Sequence, residues 1–120
     1  MNNLKIAVIG DNDFNNYCQM KSTLDAFIDI HPDKTISIVS GGDKGAHLLA
    51  KKYADEKTLK FDCYPADTDR YGKVAGFIRN KDLVGASDRV IAFWGGRTSE
   101  TKNAIEEADR MDIPSYIVAT

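Results

Sequence analysis

Cysteine, histidine, proline and tryptophan are all scarce in this chain, and each scarcity argues against a class of protein. The 2 cysteines, Cys18 and Cys63, lie far apart and belong to no CxxC pair or Cys/His cluster. A disulfide-stapled scaffold is therefore not expected, and the pair reads as buried or half-buried thiols in a reducing cytosol. His31 and His47 stand outside any metal-ligand spacing, so no metal site and no cofactor are expected. Long apolar runs are missing too. The run from Ile6 to Ile9 is too short for a signal peptide or a membrane span, which implies a cytoplasmic protein without a membrane partner. Nor is there a surplus of one charge: 16 basic and 18 acidic side chains leave a net charge of -2. Proteins that work on the phosphate backbone usually carry a basic excess or stripe. Nucleic acid is accordingly an unlikely principal partner on composition.

What is present is an ordinary globular composition, 42% apolar and 28% charged over 120 residues. That is enough chain to bury a core, and the absence of repeats or linkers makes residues 1–120 one domain. Its apolar segments alternate between two periods. Leu4–Ile9, Thr35–Val39, Leu59–Tyr64, Arg89–Trp94 and Ser115–Val118 read as strands, and Leu4–Ile9 has the unbroken apolar pattern of a strand covered on both faces. Helices are expected from Tyr17 to Ile28, stopped by Pro32 and Asp33, and from Ala46 to Ala54. Two more are expected between about Gly76 and Gly85 and over Ser99–Met111. Alternating strands and helices call for an α/β, Rossmann-like, three-layer domain. Its five-stranded parallel sheet is expected in the order 3-2-1-4-5.

In such a sheet ligands bind outside the carboxyl ends of the strands, at the switch point. Three unusual loops fall there: Gly10-Asp11-Asn12-Asp13-Phe14, Ser40-Gly41-Gly42-Asp43-Lys44-Gly45, and Trp94 through Thr101, which begins with Gly95-Gly96. The second is the best phosphate candidate, because Gly41, Gly42 and Gly45 let the backbone approach an anion and Lys44 adds a mobile charge. Asp11 and Asp13 are expected to make a turn and cap the first helix, with a ribose hydroxyl as the alternative partner of Asp11. Arg79, with Asn80 beside it, falls in the first turn of the third helix near the crevice, and Lys73 flanks the same mouth. Trp94 is either a core plug or a stacking surface for a base.

Sharper motifs fail. There is no GxxxxGK[ST], no GxGxxG after the first strand, and no acidic ribose ligand where strand two ends in Ser40. Asp11, Asp13 and Asn15 open like a calcium loop, but Asn16 and Ser22 stand where glycine and glutamate are required.

Taken together, the sequence resembles the SLOG superfamily, the Rossmann-like group of Smf/DprA and the cytokinin-activating LOG enzymes, and most closely its small YspA-like branch. The likeness runs from about Lys5 to Val118. It rests on Gly10 to Phe14, on Ser40 to Ala46, on Tyr71-Gly72-Lys73-Val74-Ala75-Gly76-Phe77-Ile78-Arg79-Asn80, and on Ile91 to Gly96. The resemblance implies a domain that recognises nucleotides or nucleotide-derived signals, often as a homodimer. Asp11-Asn12 replaces the branch's usual Ser-Arg, and His47 replaces its usual Asp. The superfamily's Gly-Gly-x-Gly-Thr turn is altered to Gly95-Gly96 followed later by Glu100-Thr101. In LOG enzymes an arginine and a glutamate three residues beyond that threonine serve hydrolysis. Arg79 matches the arginine, while the glutamate position is Ala104. Glu106 and Glu107 are turned about 200–300° away from it on a helix.

The reading is a nucleotide-type ligand-binding domain, a sensor or accessory module without assigned catalysis. Its expected site draws on Gly10, Asp11, Phe14, Ser40, Gly41, Gly42, Lys44, Gly45, Lys73, Arg79, Asn80, Trp94, Gly95 and Thr101. The rivals are an N-glycosidic hydrolase that keeps Arg79 and recruits Glu106 or Asp11, and a single-strand DNA-binding module. Glu100 would repel a phosphate at its own turn, which favours an anion near Gly41, Gly42, Lys44 and Arg79.

Overall fold

A computed structural model describes residues 2–41 and 44–120. The strands are β1 (Asn3–Gly10), β2 (Thr35–Ser40), β3 (Lys60–Cys63), β4 (Arg89–Trp94) and β5 (Ser115–Ala119). The helices are α1 (Tyr17–Asp29), α2 (Ala46–Glu56), α3 (Thr68–Tyr71), α4 (Ala75–Gly85) and α5 (Ser99–Arg110), with a 3-10 turn at Gly72–Val74. The strands form a parallel sheet in the order β3-β2-β1-β4-β5. This is the Rossmann-like topology that the alternating periods predict, with its switch point between β1 and β4.

The central strands read as continuous apolar runs because both of their faces are covered. Ile6 and Val8 of β1 point to one core with Ile38, Ile91 and Phe93, covered by Met20 and Leu24 of α1 and by Ala50 and Tyr53 of α2. Ala7 and Ile9 point the other way, to Val39, Val90 and Ala92, under Leu83 and Val84 of α4 and Ala104 and Ala108 of α5. Each large apolar side chain buried in this way stabilises the fold by about 1.5–3 kcal/mol.

Several local expectations are corrected. Asn16, not Asp11 or Asp13, caps α1: its side chain accepts from the Gln19 N–H at 3.0 Å. The polar stretch after Pro65 contains α3, which Asp67 caps by accepting from Arg70 N–H at 3.2 Å. Its four residues bury nothing, so no apolar period announces it. Both cysteines are exposed rather than buried. Cys63 ends a four-residue edge strand, where the Sγ donates to the Gly41 carbonyl at 2.9 Å. Among the described residues no helix is long and apolar enough to cross a membrane.

Candidate functional site

Because every strand is parallel, the loops following β1, β2 and β4 all emerge at the carboxyl edge of the sheet. The residues expected at a site there fall into three groups: turn builders, a clamp, and one uncompensated charge. Gly42 lies outside the described residues.

Gly10 and Gly45 build turns. A Cβ on Gly10 would stand 2.5 Å from the Phe93 carbonyl oxygen and 2.6 Å from Ala46 Cβ, so the residue is needed where β1, β4 and α2 meet. Gly45 has φ +60°, and a Cβ there would strike the Asp11 and Asn12 backbone. Phe14 is a core plug, its ring 5.0 Å from that of Phe93.

Asp11 is the clamp. Its carboxylate accepts from Gly95 N–H at 2.8 Å and from the Thr101 hydroxyl at 3.3 Å. Its carbonyl accepts from Ala46 N–H at 3.2 Å, which joins the β1 loop to α2 as well as to the β4 loop and α5. Trp94 is half-buried against the α4/α5 core, and its indole N–H donates to Thr98 across the turn at 3.2 Å. Asn80 is buried and ties α4 to α5, donating to the Glu100 carbonyl at 2.8 Å and to Asn103 Oδ1 at 3.3 Å. Ser40 donates to the Val8 carbonyl at 2.5 Å and lies 2.9 Å from His47 Nδ1, which also accepts from Gly41 N–H at 3.0 Å. Lys44 and Lys73 are exposed on the same edge.

Arg79 is different. It is 7% exposed and lies against Gly41, where a Cβ would collide with its guanidinium. Among the described residues its one hydrogen bond is a long one, from Nη1 to the Tyr64 carbonyl at 3.4 Å. The Nε–H is enclosed and has no partner, and no carboxylate among the described residues pairs with the guanidinium. Nη2 has no partner among the described residues either, and it is not among the enclosed, unpartnered atoms. A buried charge without a counter-ion costs several kcal/mol. This one is the fifth residue of α4, in its second turn rather than the expected first, and faces the edge where ligands bind.

Two cavities adjoin at this edge. A polar cleft of about 360 Å³ at the switch point is lined by Asp11, Asp13, Asn15, Gly95, Arg97 and Thr98, among others. Thr98 also borders a void of about 10 Å³, whose walls include Asn12, His47, Arg79, Asn80, Glu100 and Thr101. Thus Asp11, Phe14 and Gly95 line the cleft, whereas Gly10, Arg79, Asn80 and Thr101 line the void.

Sequence reading treats Glu100 as a repulsive charge and, while placing the loops of Asn12, Arg97 and Thr98 at the crevice, does not count these residues in the site. Glu100 is nevertheless one helical turn before Ala104, and both line the void. Its carboxylate occupies the space that Gly76 leaves by having no side chain. Of the other acidic residues on α5, Glu106 is exposed and Glu107 pairs with Arg110 at 3.0 Å.

Comparison with known proteins places these features in a lineage. Residues 4–71 match the family described as YspA, cpYpsA-related SLOG, abbreviated YAcAr. Gene 61 protein of Mycobacterium phage D29 is 32% identical over 83 residues, which are 64% of this chain and 66% of that protein. DNA processing protein A from Helicobacter pylori, described for its single-stranded DNA binding mode, has a solved structure that superposes with a TM-score of 0.70 at 20% identity. The superposition covers 98% of this chain and 66% of that one, and at this identity it establishes the shared fold. Each relative is thus matched over less than two thirds of its own length.

The likeness to a DNA-binding protein overturns the expectation that nucleic acid is an unlikely partner. Net charge averages over the whole surface, whereas binding depends on where charges stand. Lys44, Lys73 and Arg97 are all exposed on the carboxyl edge despite the overall charge of -2. With the family match extending over more than half of its length, this chain belongs to the YspA, cpYpsA-related SLOG family.

Proposed function

We propose that this protein binds a phosphorylated, nucleotide-type ligand at the carboxyl edge of its sheet, with Arg79 gripping the phosphate. The observation that carries this reading is the burial of Arg79 without a counter-ion among the described residues. A guanidinium stays charged at any physiological pH, and its planar fork suits phosphate oxygens. An arriving anion offsets a desolvation cost that the fold already bears. The rest of the ligand occupies the 360 Å³ cleft, a volume in the range of small-molecule sites. Arg97 lines the cleft, and Lys44 is exposed on the same edge of the sheet. The protein acts as a sensor or accessory module, and its oligomeric form is a dimer by family resemblance.

The test is calorimetric titration of adenosine 5′-monophosphate, adenosine and inorganic phosphate against wild type and Arg79→Ala. A charge-assisted contact of about 1.5–3 kcal/mol corresponds to a roughly ten- to hundredfold loss of nucleotide affinity in the variant. Adenosine should be affected much less. Equal weakening of nucleoside and nucleotide would mean that Arg79 shapes the pocket rather than holding phosphate.

A second reading follows from the shared fold and from exposed Lys44, Lys73 and Arg97: the nucleotide is a unit of single-stranded DNA. In that case a short oligodeoxynucleotide binds more tightly than the mononucleotide, with affinity falling steeply as salt rises.

A further inference from the structure

The 10 Å³ void has one wall, Arg79, with an enclosed and unpartnered N–H, and another, Glu100, whose half-buried carboxylate has no partner among the described residues. The Glu100 carboxylate accepts no hydrogen bond and makes no ion pair among the described residues, although the Glu100 carbonyl accepts from Asn80. The two opposite charges line the same small space, yet they are not within ion-pair distance of each other. Gly76 supplies the room. Its missing side chain leaves the hollow over the first turn of α4 in which the Glu100 carboxylate rests. Any larger residue at 76 would push that carboxylate out.

Several other polar groups around the void are already engaged. The Asn80 amide nitrogen serves Glu100 and Asn103, the Thr101 hydroxyl serves Asp11, and His47 Nδ1 accepts from Gly41. Across a space that fits about one oxygen atom, Arg79 brings an open donor and Glu100 an open acceptor, the two charged groups of the lining. A phosphate is too large for it, and its charge would meet that of Glu100. An aromatic amine brings its ring with it. A hydroxyl fits in both respects, because it can accept from the Arg79 Nε–H while donating to the carboxylate.

We infer that this void is a hydroxyl pocket, and that Glu100 makes the protein selective for ribonucleotides by taking a hydroxyl of the sugar. The inference rests on the phosphate reading above. The outer edge of the guanidinium, where Nη2 is not enclosed, holds the phosphate, and its inner Nε–H shares the sugar hydroxyl with Glu100. One arginine thus fixes the spacing between phosphate and sugar, and the carboxylate beside it tests whether the hydroxyl is there. Loss of the hydroxyl leaves both walls unpaired, and this penalty is the source of selectivity.

The experiment titrates adenosine 5′-monophosphate, its 2′-deoxy and 3′-deoxy analogues, and inorganic phosphate against wild type, Glu100→Ala and Glu100→Gln. Wild type should bind one of the two deoxy analogues about tenfold or more weakly than the parent. Glu100→Ala should weaken the parent by a similar factor and erase that preference. It should leave phosphate affinity unchanged or raised, because a nearby negative charge is gone. Glu100→Gln, which keeps an acceptor oxygen but not the charge, should lie between. Equal binding of all three nucleotides by wild type would overturn the inference and leave the void as a site for one water. Glu100→Ala weakening phosphate and all nucleotides alike would overturn it too, by showing that the side chain merely supports α4. Failure of phosphate and nucleotide to bind wild type at all would instead sink the phosphate reading.

Discussion

Two polar clusters on opposite faces of the sheet differ in whether their groups find partners. Between α1 and α2, the Tyr53 hydroxyl donates to Asp25 at 2.6 Å, Lys57 pairs with the same carboxylate at 3.3 Å, and the Tyr17 hydroxyl donates to Glu56 at 2.6 Å. Every charge there has a partner, and the network joins two helices that pack on each other. At the head of α4, Arg79 is buried with one long hydrogen bond and no counter-ion. A satisfied network fixes structure, whereas an unsatisfied one costs stability that some other benefit must offset. The contrast teaches that the informative feature for function is the missing partner, not burial or charge alone.

The sharpest way to break this comparison is to replace the uncompensated charge with an apolar side chain of similar length. Arg79→Met should raise the stability of the ligand-free protein by roughly 1–4 kcal/mol, since a buried charge is removed and its volume kept. The same variant should lose binding of adenosine 5′-monophosphate. Chemical denaturation and calorimetry on one preparation give both readings. A variant that is less stable would show that Arg79 is integral to packing, which would place it with the α1/α2 network instead.

A smaller effect of opposite kind is expected at Tyr53. Tyr53→Phe keeps the ring, which is fully buried, and deletes the hydroxyl bonded to Asp25. The loss should be about 1 kcal/mol, toward the low end for a bond to a charged group because Asp25 is partly solvated. Nucleotide binding should not change. A measurable fall in affinity would mean that the two sides of the sheet are coupled and not separate in role.

The elements that sequence pattern disclosed were those with long apolar periods. Strand order, the two covered faces and four helices follow from alternation between period two and period 3.6. What stayed hidden was local or spatial. Helix α3 has no buried face to announce it. Asp11 looks like a capping residue from its own loop, and its actual partners, Gly95 and Thr101, are 84 and 90 positions away. Arg79 and Gly41 are each conspicuous in sequence, but their contact is made only where the fold brings the end of β2 against α4. The pairing of Glu100 with Gly76 was illegible for the same reason. A glycine that makes room for a side chain on another helix is indistinguishable, in a string of letters, from one that breaks a helix.

The smallest effect separates the two sides by pH. The hydrogen bond from Tyr53 holds the Asp25 carboxyl below its ordinary value; Lys57 adds to this, while desolvation opposes it. Burial pushes the Tyr53 hydroxyl up, and its bond to Asp25 pushes it further. A lowered carboxyl contributes stability above its unfolded value and loses it as pH falls through the folded one, so this contribution fades below about pH 4. A raised phenol is the reverse case: its contribution is full below about pH 10 and is lost as pH rises beyond that. The stability difference between wild type and Tyr53→Phe should therefore be level from about pH 4 to 10 and shrink on both flanks. Denaturant unfolding of both proteins across that range measures it, and other titrating groups cancel in the difference. A difference that varied between pH 5 and 8 would mean that some group other than Asp25 and Tyr53 controls the network. The comparison between its two satisfied partners and the unsatisfied Arg79 would then have to be redrawn.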